Sequence, residues 1–183
     1  MKILDAGCGA NKYAGAIGMD SNPRTAADVI HDLGVFPYPF PDNEFDLVVS
    51  RHVAEHVPDV MLFMSELHRI TKPGGVIKLV TPHYTNPDWA NDLTHRNHFN
   101  CYSFNCFFQD RRLFPFYTDV EFRPLRVHVS LGNLWRALGL QWLTNADQRW
   151  ASLRFTRKFW EHYLSNICRG KELQFDLEVV KPG

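Results

Sequence analysis

The sequence predicts an α/β fold, a doubly wound, mainly parallel sheet with helices on both faces and an antiparallel last strand. Three observations carry that prediction. Short apolar runs bounded by Gly, Pro and Asp recur through the first eighty or so residues. A helical period over residues 59–71 separates two of them and stops at Lys72-Pro-Gly-Gly75. Near the C-terminus, residues 172–180 alternate, with Leu173, Phe175, Leu177 and Val179 on one face. Continuous apolar runs suit strands covered on both faces of a parallel sheet, whereas clean alternation suits an antiparallel strand.

Taken in order, the apolar runs are residues 2–6, 14–19, 28–31, 45–50 and 75–81. In the helix between the last two, Val60, Phe63, Met64, Leu67 and Ile70 recur at spacings of three and four, the stripe of a helix with one buried face. Strand, helix and strand then read as a right-handed crossover. Residues 83–118 are rich in His, Asn, Asp and aromatics without a sustained period. They are expected to form a long functional loop or lid, with one helix near 103–111. A strand follows at 125–130, then helices at 131–143 and 147–168, then the alternating strand, expected at the sheet edge. The chain reads as one domain: a ligand-binding half at 1–82, an acceptor loop at 83–118, and a helical insert at 131–170.

Composition narrows the partners. The 183 residues suffice for one domain with a full core. Twenty basic side chains balance twenty acidic ones, so no net field favours nucleic acid. Cys8, Cys101, Cys106 and Cys168 show neither metal-ligand nor disulfide-framework spacing, and reduced thiols in a cytoplasmic location are the expectation. No segment resembles a signal peptide or a membrane span.

Leu4-Asp-Ala-Gly-Cys-Gly9 follows the first strand directly. A Gly-x-Gly turn there lets a ligand lie against backbone that side chains would otherwise block. A dinucleotide fingerprint needs a third glycine, but the chain continues Ala-Asn-Lys12, which argues against a nicotinamide enzyme. Asp5 ends the first strand, a position suited to an ammonium or sulfonium group. Asp20 ends the second, where a carboxylate can accept ribose hydroxyls. Asp32 follows the third, placed for an adenine amino group with Leu33 against the ring. Each alone also fits an ordinary surface loop; the ordered set of three matches an amino acid, a ribose and a base.

Leu4-Asp-Ala-Gly-Cys-Gly9, Gly18-Met-Asp20, Phe40-Pro-Asp-Asn-Glu-Phe-Asp-Leu-Val49, Ala54-Glu-His-Val57 and Lys72-Pro-Gly-Gly75 resemble the successive motifs of class I S-adenosylmethionine-dependent methyltransferases, most closely the type 11 domain. The resemblance covers roughly residues 1–82. It implies a Rossmann-like class I methyltransferase fold, S-adenosylmethionine as cofactor, and methyl transfer as the activity. The cofactor site it implies comprises Asp5, Ala6, Gly7, Cys8, Gly9 and Tyr13, then Asp20 and Ser21, Asp32 and Leu33, and Ser50, Arg51 and His52. One departure is plain. Only residues 10–14 separate the glycine loop from the second strand, so the helix usual there is reduced to a turn, and Asn11, Lys12 and Tyr13 stand where its N-terminus would face the cofactor. A non-catalytic S-adenosylmethionine-binding or interaction protein is the competing reading.

Methyl transfer from a sulfonium is an in-line displacement, and a general base is needed only when the acceptor must lose a proton. His95 oriented by Asp92 is the first candidate base and His83 the second; the competing reading is that these residues brace an irregular loop. No metal site is expected, since His95-x-x-His98 has no further ligand set apparent. The acceptor is expected to be a small molecule or lipid-linked. Two apolar stripes in 131–170, with Arg149, Arg154, Arg157 and Lys158 beside the second, fit either packing on the sheet or contact with a membrane surface or partner helix.

Overall fold

The computed structural model describes residues 1–111 and 115–182, so residues 112–114 of the expected 83–118 loop lie outside it. Its strands are β1 (Ile3–Ala6), β2 (Ile17–Asp20), β3 (Val29–Ile30), β4 (Phe45–Arg51), β5 (Thr71–Pro82), β6 (Glu121–Leu131) and β7 (Gly170–Val180). They form one sheet in the order β3-β2-β1-β4-β5-β7-β6. The β3-β2-β1-β4-β5 portion is parallel, and β7 runs antiparallel to both β5 and β6. Strand order reverses between β1 and β4, and ligands of open α/β sheets bind at the carboxyl ends of strands beside such a switch.

Helix α1 (Val60–Ile70) follows β4, as the period requires. Asp59 caps it by accepting from the Leu62 amide at 2.9 Å, and Phe63, Met64, Leu67 and Ile70 are fully buried. Those four pack in one cluster with Leu4, Phe45, Val48, Ile77, Leu79 and Phe175. The chain then enters β5 at once, with Thr71 Oγ1 donating to the Leu67 carbonyl at 2.7 Å. Leu47 and Val49 alternate with Val48, so they face the other side of the sheet. There they join only Ile3, Ala16 and the half-buried Val76. That thin second cluster is the counterpart of the short 10–14 connection, which has no room for a covering helix.

Three expectations about the second half are corrected. First, β7 is antiparallel as predicted, and Leu173, Phe175, Leu177 and Val179 are buried, but it lies between β5 and β6. The edge belongs to β6, which begins at Glu121 and includes Pro124 at a register shift. A proline cannot donate to a ladder, so an edge strand tolerates it. Second, the helix near 103–111 is replaced by separate 3₁₀ turns at Asn105–Phe107 and Gln109–Arg111. Buried Phe104, Phe107 and Phe108 anchor this stretch, with Phe104 edge-on to Phe175 at 4.8 Å between centroids.

Third, neither insert helix is continuous. The 131–143 region gives α2 (Asn133–Ala137) and α3 (Leu140–Thr144), separated at Gly139, whose φ of +76° no helix accommodates. The 147–168 region gives 3₁₀ turns, α4 (Arg154–Phe159) and one π turn at Trp160–Leu164. Side-chain contacts tie the pieces together: Arg157 pairs with Asp147 at 2.7 Å, and Trp160 Nε1 donates to the Cys168 carbonyl at 2.9 Å. The stripes are split, with Trp160 buried while Leu134, Leu138, Trp142, Phe155 and Tyr163 are exposed.

Candidate active site

The carboxyl ends of β1, β2 and β4 border a cleft of about 450 Å³, within the ~300–1,000 Å³ typical of small-molecule sites. Of the predicted cofactor residues, Gly7, Gly9, Asp20, Ser21, Asp32, Leu33, Arg51 and His52 line it. Gly9 has a φ of +53°, and a Cβ there would meet no atom within 4 Å, so the backbone itself is presented. Gly7 is obligatory for another reason: its φ is +79°, and a Cβ would lie 2.1 Å from Val53 Cγ2.

Asp20 and Asp32 combine local and ligand-facing capacity. The Asp20 oxygens accept from the Gly9 and Asn22 amides, both at 2.9 Å, which fixes the carboxylate while each oxygen retains a lone pair. Asp32 Oδ1 accepts from the Gly34 amide at 2.8 Å, and its Oδ2 accepts no hydrogen bond among the described residues.

Asp5 is placed differently. It is fully buried and does not line the cleft. Its Oδ2 accepts from the Tyr13 amide at 2.7 Å and from Arg51 Nη2 at 2.9 Å. Arg51 also donates to the Asn11 carbonyl at 2.7 Å, so the carboxylate and the 10–14 turn are tied together by a cation from β4. Lys12 turns away to Asp28 at 2.7 Å, whose carboxyl the Gly18 amide and Lys12 hold below its ordinary pKa. Ala6, Cys8, Ser50 and Tyr13 do not line the cleft either: the first three are buried and Tyr13 is exposed, and burial pushes the Cys8 thiol up.

Asp5 Oδ1, Ser50 Oγ and Arg51 Nε are buried at adjoining strand ends with no hydrogen-bond partner among the described residues. Unpaired buried polar atoms are costly. Within the cleft itself, the open Gly9 backbone and the unused acceptor capacity of Asp20 and Asp32 fit a ligand carrying a ribose and a base.

The far wall comes from residues 52–58. His52 takes a left-handed φ of +56°, donates its amide to the Val80 carbonyl at 2.8 Å and turns the chain sharply back over the cleft. This brings in Val53, Val57 and Pro58, which sequence reasoning did not assign, together with His56, which four-residue spacing from His52 placed at the cofactor edge. Ala54-Glu-His-Val57 was among the recognised motifs, yet without the turn at His52 nothing placed the rest of it. Glu55 is fully buried; it accepts from His52 Nδ1 at 3.2 Å and Thr81 Oγ1 at 3.1 Å. The Glu55 hydrogen bond holds the His52 pKa above its ordinary value against the opposing effect of burial.

The 83–98 stretch is pinned to this wall. The Arg96 and Asn97 amides donate to the Glu55 carbonyl at 2.8 and 3.1 Å, and Asn97 Nδ2 donates to the Ala54 and Val57 carbonyls at 3.0 and 2.8 Å. His95 is thereby laid beside His56, with ring centroids 4.6 Å apart. Its Nδ1 donates to the Trp89 carbonyl at 2.8 Å, not to Asp92. Asp92 instead accepts from the Thr94 hydroxyl at 2.6 Å and amide at 2.8 Å, bonds that hold its carboxyl below the ordinary range. Since Thr94 Oγ1 gives its proton to Asp92, it accepts from His56 Nδ1 at 2.9 Å. Asp92 therefore orients His56 rather than His95. His83 is fully buried away from the cleft, its Nε2 donating to Glu161 at 3.0 Å.

Comparison with known proteins agrees with this geometry. Residues 4–79 match the family model described as a methyltransferase domain. A tocopherol O-methyltransferase of Arabidopsis thaliana is 34 % identical over 103 residues, covering 44 % of this chain and 30 % of that protein. A demethylmenaquinone methyltransferase of Geobacillus stearothermophilus is 53 % identical over 38 residues, 21 % of this chain and 16 % of that one. The matched segment thus spans less than half the length of either relative. The whole sheet aligns with an S-adenosylmethionine-dependent methyltransferase from Mesorhizobium loti at a TM-score of 0.56 and 15 % identity, covering 97 % of this chain and 90 % of that one. A second, from Archaeoglobus fulgidus, gives 0.58 at 17 %, covering 97 % and 85 %. Residues 4–79 are therefore similar to a methyltransferase domain, and the chain as a whole shares its fold with these two S-adenosylmethionine-dependent methyltransferases.

Proposed function

We propose that this chain transfers the methyl group of S-adenosylmethionine to a small-molecule or lipid-linked acceptor admitted between the cleft and the 83–98 stretch. The observation that carries the proposal is the pairing of Asp20 and Asp32, each with unused acceptor capacity, beside the open Gly9 backbone in one cleft. Asp20 would accept the ribose hydroxyls, Asp32 the adenine amino group, and Leu33 would cover the ring. Arg51 orients Asp5 and neutralises it, so Asp5 supports the glycine loop. The cofactor supplies an electrophilic methyl group bonded to a sulfonium. The chain's contribution is alignment of the acceptor and exclusion of water. Where the acceptor is a hydroxyl, His95 Nε2 is the available proton acceptor, because Nδ1 is committed to Trp89; Asp92 and His83 act as positioning residues.

The tocopherol and demethylmenaquinone methyltransferases among the relatives support a small-molecule acceptor. Exposed Leu134, Leu138, Trp142, Phe155 and Tyr163 support a surface contact when the acceptor is lipid-linked; no helix among the described residues is long and apolar enough to cross a membrane. A binding protein without turnover is the second reading, favoured by the early neutralisation of Asp5.

Calorimetric titration with S-adenosylmethionine and S-adenosylhomocysteine tests the proposal, beside Asp20→Asn, which keeps the side chain's shape. Saturable binding weakened about tenfold in the variant, the worth of one charge-assisted hydrogen bond, is expected. Absence of saturable binding to the wild type would sink it. Turnover lost in His95→Ala with binding intact separates the enzyme from the binding-only reading.

A further inference from the structure

We propose that Glu55, His56 and His95 form a binding site for a first-row divalent cation, zinc by its donor set, on the wall shared by the cleft and the 83–98 stretch. One donor atom from each residue lies within 4.8 Å of the other two. Two imidazoles and a carboxylate are a known zinc set that leaves a coordination position open. Zinc–nitrogen bonds of about 2.0–2.1 Å place tetrahedral ligand atoms about 3.4 Å apart, so side-chain movement of the order of 1 Å closes the site.

Proximity is the lesser part of the argument. Histidine ligands donate their second ring N–H to a carboxylate or carbonyl, which fixes the tautomer and directs the free nitrogen at the metal. Both rings already have their second N–H engaged, one by a carbonyl and one by a hydroxyl that is itself bonded to a carboxylate. His95 Nδ1 donates to the Trp89 carbonyl, and His56 Nδ1 donates to Thr94, which donates on to Asp92. Each leaves Nε2 with its lone pair. Glu55 is fully buried and held in turn by Thr81 and His52 at 3.1 and 3.2 Å. Three candidate ligands, from two chain segments pinned together by backbone bonds to Glu55, thus have their outer partners in place.

The spacing His95-x-x-His98 implied no metal site, and in the fold His98 stacks on Trp89 with ring centroids 3.8 Å apart. The cation would take the same His95 Nε2 lone pair that is the proton acceptor of the metal-free chain, so the two uses exclude each other, and cation binding holds whether or not the cleft takes S-adenosylmethionine.

The test is titration of chelator-treated full-length protein with zinc, read by competition against a chromophoric chelator, followed by cobalt substitution. One equivalent is expected, with visible cobalt bands of nitrogen and oxygen ligation and no sulfur-to-cobalt charge transfer from the four cysteines. Affinity should fall at least about tenfold in His95→Ala and in His56→Ala, and stay unchanged in His162→Ala. Zinc should raise the melting temperature of the wild type but not of His95→Ala, and melting curves without metal establish that the variants fold. Uptake unaltered in both ligand variants, a sulfur charge-transfer band, or no saturation would overturn the proposal. Because no methyl donor is present, failure here leaves the cofactor titration untouched.

Discussion

His83 and His95 belong to the same stretch of chain, and the fold uses them in opposite ways. His83 has no exposed surface. Its Nδ1 accepts from Thr85 Oγ1 at 2.8 Å, its Nε2 donates to Glu161, and its ring packs on Trp160 with centroids 5.1 Å apart. A Cβ on Gly170 would come within 2.5 Å of that ring. Both nitrogens are spent, so the residue can only position. His95 spends one nitrogen on a backbone carbonyl and keeps the other beside His56 at the cleft wall. The difference teaches that a histidine's role is set by how many of its nitrogens the fold consumes, something its neighbours in sequence do not reveal.

That contrast can be broken most forcefully at Glu161. In Glu161→Ala, His83 Nε2 and the Cys101 amide, 3.2 Å from the other carboxylate oxygen, lose their acceptor inside the core. We expect a loss of about 3 kcal/mol in urea denaturation; a loss below about 1 kcal/mol would mean that His83 is not structurally committed. The complementary change, Asp92→Ala, removes a carboxylate whose side-chain hydrogen bonds among the described residues go to Thr94 and, through it, to His56. Stability should stay within about 0.5 kcal/mol, while zinc affinity falls on the order of tenfold. Equal affinity in the two proteins would detach Asp92 from the His56–His95 centre.

The smallest effect is in pH. Burial pushes the Glu161 carboxyl up, but bonds from His83 and Cys101 prevail and leave its pKa below the ordinary value. A carboxyl with a lowered native pKa binds fewer protons folded than unfolded. Its contribution is therefore complete above the ordinary carboxylate range and disappears as pH falls through the native value. Glu161→Gln should flatten the acid limb of the stability–pH curve, and an unchanged slope would contradict the assignment.

The cleft and the second half of the chain differ in the same manner. Gly7, Gly9, Asp20 and Asp32 were legible because each sits at the end of a short strand whose apolar run announces it, and strand ends in a parallel sheet converge on one edge. The breaks in the 131–170 insert were not legible. Its apolar spacing satisfied a helical period, but the chain breaks at Gly139, which takes a positive φ, and gives short pieces on either side. Asp5 was read correctly as a strand-end carboxylate, and its charge was already answered by Arg51 from β4, a partner brought near only by strand pairing.

By itself, the sequence determined the fold class, the α1 crossover, the antiparallel β7 and the row of aspartates, because period and punctuation are local properties of the chain. Tertiary structure alone decided that β7 lies inside the sheet, that Asp92 serves His56, and that Glu55, His56 and His95 meet. The first depends on the pairing of β7 with both β5 and β6, the others on a left-handed turn at His52 and on long-range hydrogen bonds to Glu55, and partners distant in the chain leave no period to read.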